Sequence, residues 1–179
     1  LKSEMKKKFI GIFGGSFDPP HKGHLMISSV SIKKLKLNKL FWVITKKNPF
    51  KNKTFFDLSE RIKRCDKIVK NNKKIELKYL ENIVRSTKTV NILKYLIKKN
   101  KKAKFFLIIG ADNLIGFHKW KNWRQIAKLS ELVVFPRSGF DKKGKKSVIV
   151  KYLNKKNIKF IKTKKVNISS SKIRKYYKN

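Results

Sequence analysis

Cysteine occurs once, at Cys65, so no internal disulfide can form. That accords with a reducing compartment and a cytoplasmic location. Histidine occurs only three times, at His21, His24 and His118. With no further His or Cys near the first two, a zinc site is not expected, and no residue is assigned to a metal. No apolar run approaches the length of a membrane span. The lysines near the N-terminus are not followed by a long apolar segment, so no secretory signal is expected, and residues 1–5 are read as a disordered or start-site extension. There is no internal repeat and no clear linker.

Acidic residues are scarce: 10 Asp and Glu stand against 49 Lys and Arg, a formal net charge of +39. Such an excess raises nucleic acid, phosphates or an anionic membrane face as partners. It is mostly lysine, spread evenly, and it accompanies many Asn, Ile and Phe, residues with A- or T-rich codons. A biased genome produces that pattern whatever the function. A nucleic-acid module would gather its cations on one face with interleaved aromatics. No specific nucleic-acid or membrane partner is therefore expected, although the field still attracts anionic substrates. Homo-oligomerisation is left open.

What is present is a core. Of 179 residues, 40% are hydrophobic and 12% aromatic, enough for one folded domain covering residues 1–179. Strands are expected at Phe9–Phe13, Leu40–Ile44, Ile75–Tyr79, Lys104–Ile109, Leu132–Phe135 and Ile158–Ile161. Helices are expected over His24–Leu37, from Asp57 onward, over Thr89–Ile97, Trp123–Leu129, Val148–Leu153 and Ser170–Tyr177. Asp141–Lys146 reads as a charged loop containing a glycine. Strand and helix alternate, and several strands are apolar on both faces, as parallel sheets require. The expected fold is α/β: a doubly wound, Rossmann-like parallel sheet, with ligands beyond the carboxyl ends of its strands.

One stretch at such an end carries most of the chemistry. In GGSFDPPHKGH, residues 14–24, Gly14 and Gly15 remove side chains where the chain leaves a buried strand. Pro19 and Pro20 stiffen the loop. His21 and His24 lie three apart at the start of a helix, so both imidazoles can face the helix N-terminus. Imidazole N–H donors with main-chain amides make a phosphate site. At the other end, serines 169–171 read as caps of a last helix, with Arg174 one turn inside it.

GGSFDPPHKGH resembles the signature of nucleotidyltransferases with an H-x-G-H motif, and within them it is similar to bacterial nicotinate-mononucleotide adenylyltransferases. ISSSKIR, residues 168–174, resembles that family's I-S-S-T-x-I-R, with Ser171 in place of threonine. Ile109-Gly110-Ala111-Asp112-Asn113-Leu114, followed by Trp120 and Trp123, resembles its I-G-x-D-x-[LF] and W-x-x-W. The resemblance implies transfer of adenylyl from Mg²⁺-bound ATP to nicotinate mononucleotide. It implies that His21, His24 and Arg174 are catalytic. It places ATP against Gly14, Gly15, Ser16, Phe17, Gly23, Gly110, Asp112, Ile168, Ser169 and Ser170 as well. It places the mononucleotide against Gly15, Ser16, Lys51, Ser86, Thr87 and Trp120. Trp123 reads as core, and Asp18 as a residue fixing its own loop through Asx-type bonds. The family's Y-T-x-D-T stretch is altered here to Arg85-Ser86-Thr87-Lys88-Thr89. Sibling enzymes using nicotinamide mononucleotide or pantetheine phosphate, a cytidylyltransferase, and a basic nucleic-acid-binding module are the alternatives.

Overall fold

The structure is a computed structural model and describes residues 7–46, 53–154, 156–163 and 169–177. Strands β1 (Phe9–Gly15), β2 (Lys39–Ile44), β3 (Ile75–Lys78), β4 (Lys104–Gly110), β5 (Glu131–Phe135) and β6 (Ile158–Phe160) form one sheet. Its order is β3-β2-β1-β4-β5-β6, with every pairing parallel. The helices are α1 (Lys22–Lys34), α2 (Leu58–Val69), α3 (Glu81–Val84), α4 (Thr89–Lys99), α5 (Ala111–Ile115), α6 (Trp123–Leu129), α7 (Asp141–Lys145), α8 (Val148–Leu153) and α9 (Ser170–Tyr176). A 3-10 turn spans Phe117–Lys119. Among the described residues no helix is long and apolar enough to cross a membrane.

Alternate residues of each strand feed two separate cores. Ile10, Ile12, Phe41, Val43, Leu107 and Val134 face α4, α5, α6 and α8. Phe13, Leu40, Trp42, Ile44, Ile108 and Val133 face α1 and α2. Both faces are covered, so the central strands carry apolar residues at successive positions. Truncating one of these buried side chains to alanine costs roughly 2–5 kcal/mol. Gly11 serves packing: a Cβ there would lie 2.6 Å from Leu40 Cδ1 and 2.7 Å from Leu37 Cδ1.

The pairing register makes the crevice. β1 and β4 pair only as far as Phe13 and Ile108. Beyond that, β1 continues beside β2 to the pair Gly15 and Ile44, while β4 continues beside β5 to Gly110 and Phe135. The two central strands part, and a gap opens at their carboxyl ends. Strand order reverses at the same place, where such sheets bind ligands.

The short helices α3 and α5 are not expected from the sequence, and one expected loop is helical. The Asp141–Lys146 segment begins as helix α7, not as a loop. Its Gly144 packs against Ala111, with a would-be Cβ only 3.2 Å from the Ala111 carbonyl oxygen. Asp141 Oδ1 also accepts the Arg137 N–H at 2.8 Å. Tertiary contact holds a helix that carries no apolar stripe.

Candidate active site

The turn from β1 into α1 is built around its two histidines. His21 is the extended residue preceding the helix, and its Nδ1 accepts the Gly23 N–H at 3.1 Å. His24 returns the bond: its Nδ1 accepts the His21 N–H, also at 3.1 Å. The rings lie 3.9 Å apart, centroid to centroid. Two histidines thus do the work that Ser and Glu perform in an ordinary capping box. The amides expected to face a phosphate are partly consumed by the imidazoles themselves. With both Nδ1 atoms accepting, a neutral ring carries its proton on Nε2, and each histidine has an Nε2–H left to donate.

Both rings are held neutral. Burial first, and then the Arg137 charge, lowers the His21 pKa to about 4. His24 lies well below the ordinary value, through burial, then His21, then Arg137. Aromatic rings supply that burial. Phe17, Phe13 and Trp42 stand 4.9, 5.8 and 6.0 Å from the His24 ring. Beneath it, Trp42 Nε1 donates to Ser28 Oγ at 2.8 Å, and Ser28 Oγ donates to the His24 carbonyl at 2.8 Å. Phe17 itself is 2% exposed and stacked on Trp42 at 4.6 Å, so its ring belongs to the core and leaves only its main chain to meet a nucleotide.

The last helix is fastened to this turn. Ser169 caps α9 by accepting the Lys172 N–H at 3.2 Å. Ser170 Oγ donates to the Pro19 carbonyl at 2.9 Å. Arg174 Nη1 donates to the Asp18 carbonyl at 2.6 Å, and its Nη2 to Ser171 Oγ at 2.9 Å. The guanidinium therefore touches the histidine turn three residues before His21. Asp18 departs from the sequence expectation. Its carboxylate does not bond within its own loop; it accepts the N–H groups of Phe55 and Phe56 at 2.7 and 2.9 Å. It brings together three parts of the chain.

The gap between β1 and β4 widens into a cleft of about 390 Å³. Gly14, Gly15, Ser16, Thr45, Thr87, Gly110 and Trp120 are among its walls. A Cβ on Gly14 would meet nothing closer than 4.0 Å, so any side chain there would stand in the cleft. Trp120 is half-buried and backed by the Phe117 ring at 4.9 Å. Lys88, Lys119 and Lys121 also line the cleft, and among the described residues no acidic one does. Trp123 packs edge-on against Tyr152 at 4.9 Å and is core, as the sequence suggests.

Other expected residues fall outside this cleft. Ser86 Oγ accepts the Lys88 N–H and the Asn91 side-chain amide, at 3.2 and 3.0 Å, and so secures the start of α4. Asp112 turns back over Gly110, where an added Cβ would collide with its Oδ1. Its Oδ2 lies 3.9 Å from Arg137 Nε. Lys51 and Ile168 lie outside the described residues. Sequence reasoning missed Arg137 and Arg61. Among so many cations neither has a local signature, although Arg137 follows directly on a strand and proline.

A family model described as cytidylyltransferase-like matches residues 12–176. The chain is 51% identical to a Pelagibacter ubique protein over 95% of its own length and 94% of the other. It is 37% identical to an Agrobacterium fabrum protein over 73% and 70%. Both are named "Probable nicotinate-nucleotide adenylyltransferase". In fold it is similar to the Plasmodium falciparum nicotinic acid mononucleotide adenylyltransferase complexed with NaAD, with a TM-score of 0.76 at 24% identity, covering 94% of this chain and 83% of that one. Sheet order, histidine turn and relatives agree: the chain belongs to the nicotinate-nucleotide adenylyltransferases of the cytidylyltransferase-like family.

Proposed function

We propose that the protein, as a single nucleotidyltransferase domain, transfers the adenylyl group of ATP to nicotinate mononucleotide in NAD biosynthesis, giving the deamido dinucleotide and pyrophosphate. The observation that carries the reading is the open β1–β4 cleft leading into the turn that bears His21 and His24 and whose Asp18 carbonyl is held by Arg174. The relatives' names support the reaction. The cleft supports the acceptor: three lysines and no acid at a site walled by Trp120 favour a carboxylate on a flat ring over the neutral amide of its nicotinamide counterpart.

The chemistry needs no protein nucleophile. The acceptor phosphate is largely ionised near neutral pH, its second pKa being about 6. One of its oxygens attacks the α-phosphorus of ATP in line. The new O–P bond forms as the bond to the β-phosphate oxygen breaks, and pyrophosphate leaves with the electron pair. The one cysteine cannot compete, because burial pushes the Cys65 thiol up to about 12 against the pull of Arg61.

The protein's part is positioning and charge stabilisation. His21 and His24 act through Nε2–H as donors to the phosphates, not as acids, because their cationic forms are scarce at neutral pH. A neutral hydrogen bond contributes a net ~1 kcal/mol and a charged one roughly 1.5–3 kcal/mol. The main charge compensation therefore falls to Arg174, with Ser169 and Ser170 setting its helix. Gly14, Gly15, Ser16 and Gly23 allow close approach of the nucleotides. Asp112 serves the ATP ribose, while Thr87 and Trp120 hold the pyridine end.

Mg²⁺ enters as part of the ATP substrate. Among the described residues no group of three or more His, Cys, Asp or Glu gathers as a cage. The ion is expected to keep most of its waters and to bind through the substrate phosphates. A buried single thiol and diffusible substrates fit a cytoplasmic enzyme.

The test is pyrophosphate release from ATP with each acceptor offered in turn. Nicotinate mononucleotide should exceed nicotinamide mononucleotide by about tenfold or more in kcat/KM. Pantetheine phosphate should give no turnover. Release with pantetheine phosphate alone, or salt-sensitive RNA binding without any release, would overturn the reading.

A further inference from the structure

Arg61, on α2, lies outside the cleft and is the most deeply buried charged side chain among the described residues, at 1% exposed. Its guanidinium meets main chain. Nη1 donates to the Ser16 and Thr45 carbonyls at 2.6 and 2.8 Å. Nη2 donates to the Lys46 carbonyl at 2.8 Å, and Nε to the Phe56 carbonyl at 3.2 Å. Burial lowers its pKa against the fields of Asp18, Cys65, Asp57 and Glu81, but an arginine remains charged.

Three of the four carbonyls lie just past a strand end. Ser16 follows the last residue of β1, and Thr45 and Lys46 follow β2. Ser16 and Thr45 line the cleft. Phe56 precedes the cap of α2, and its N–H is already held by the Asp18 carboxylate. Lys46 is likewise gripped from both sides, since its N–H donates to Glu81 Oε2 at 3.1 Å. Arg61 fastens two strand exits to one another and to the start of α2. A lysine could not do this: its compact ammonium lacks the planar fork that spans several acceptors. Burying a guanidinium on carbonyls is costly for stability alone, since an apolar residue of similar volume serves as well or better.

We propose that Arg61 is a positioning residue for the mononucleotide half of the site, holding the exits of β1 and β2 at the spacing that the acceptor requires. This rests on the cleft being the acceptor site. Arg61 makes no direct bond to His21, His24 or Arg174 on the ATP side; its link to Arg174 runs only through Phe56 and Asp18.

Steady-state kinetics and thermal melting of the full chain test the proposal with Arg61→Ala and Arg61→Lys. In the folded variants, KM for nicotinate mononucleotide should rise about tenfold, while KM for ATP stays within about twofold. Adding guanidinium to Arg61→Ala should restore part of the lost acceptor affinity. A merely structural role predicts a lower melting temperature and fewer active molecules with both KM values unchanged, and that result overturns the proposal. So does a chain that folds with neither variant. Wild-type protein inactive on nicotinate mononucleotide would instead remove the functional reading. Normal wild-type turnover with unaltered Arg61→Lys kinetics would remove this inference alone.

Discussion

At His21 and His24 each Nδ1 is occupied by a main-chain N–H, and burial, helped by the Arg137 charge, keeps both rings uncharged. The pairing that closes the helix start also selects the tautomer that can donate to a phosphate. The consequence for pH follows from the direction of the shift. The folded His21 pKa, about 4, lies below the ordinary 6.5. The stability linked to this residue is therefore fully present above pH 6.5 and is lost as pH falls toward 4. The chain has only three histidines, so their ring resonances can be separated. Nuclear magnetic resonance should find His21 neutral down to about pH 5, with the melting temperature falling over the same acid range. A His21 midpoint near 6.5 would remove the neutral-donor assignment.

Helix α9 has no buried residue. Its docking rests on polar fasteners, Ser170 to Pro19, Arg174 to Asp18, and the Tyr177 hydroxyl, which accepts from Arg64 Nη1 at 3.1 Å, together with the Tyr177 ring, which packs edge-on against Phe56 at 5.3 Å. Losing one of them should loosen the helix without unfolding the sheet. Ser170→Ala is expected to raise KM for ATP about threefold, the worth of one modest hydrogen bond, with the acceptor KM unchanged. Equal changes in both would detach α9 from the ATP side. The same helix marks what could be read in advance. Its serine caps and Arg174 are local features, as are the glycine and histidine turn and the strands buried on both faces. Asp18 and Arg61 are different. The partners of Asp18 stand 37 and 38 residues away, and those of Arg61 are mostly carbonyls, which every residue carries. No side-chain pattern encodes such bonds. Helix α7 was hidden for a related reason: Gly144 against Ala111, not an apolar stripe, holds it in place.

Across the whole molecule, ten acids face forty-nine lysines and arginines. Several acids sit where the fold uses them: Asp18 and Glu81 inside the loop frame, and Glu131 between Lys104 and Lys159. Most cations have no acid to pair with, and their mutual repulsion opposes the compact state. The same field draws in ATP and a phosphorylated acceptor. The field acts whatever produced it. Added salt should therefore have opposite effects on stability and capture. Between about 0.05 and about 0.5 M salt the Debye length shrinks from ~14 Å to ~4 Å. The melting temperature should rise by several degrees as repulsion is screened. Over the same range kcat/KM for ATP should fall about tenfold, while kcat at saturation changes by less than about twofold, because contacts formed in the bound complex are short and shielded. Parallel melting and initial-rate measurements across that series check both halves. A kcat/KM indifferent to salt would mean that the surplus charge plays no part in bringing substrates to the cleft.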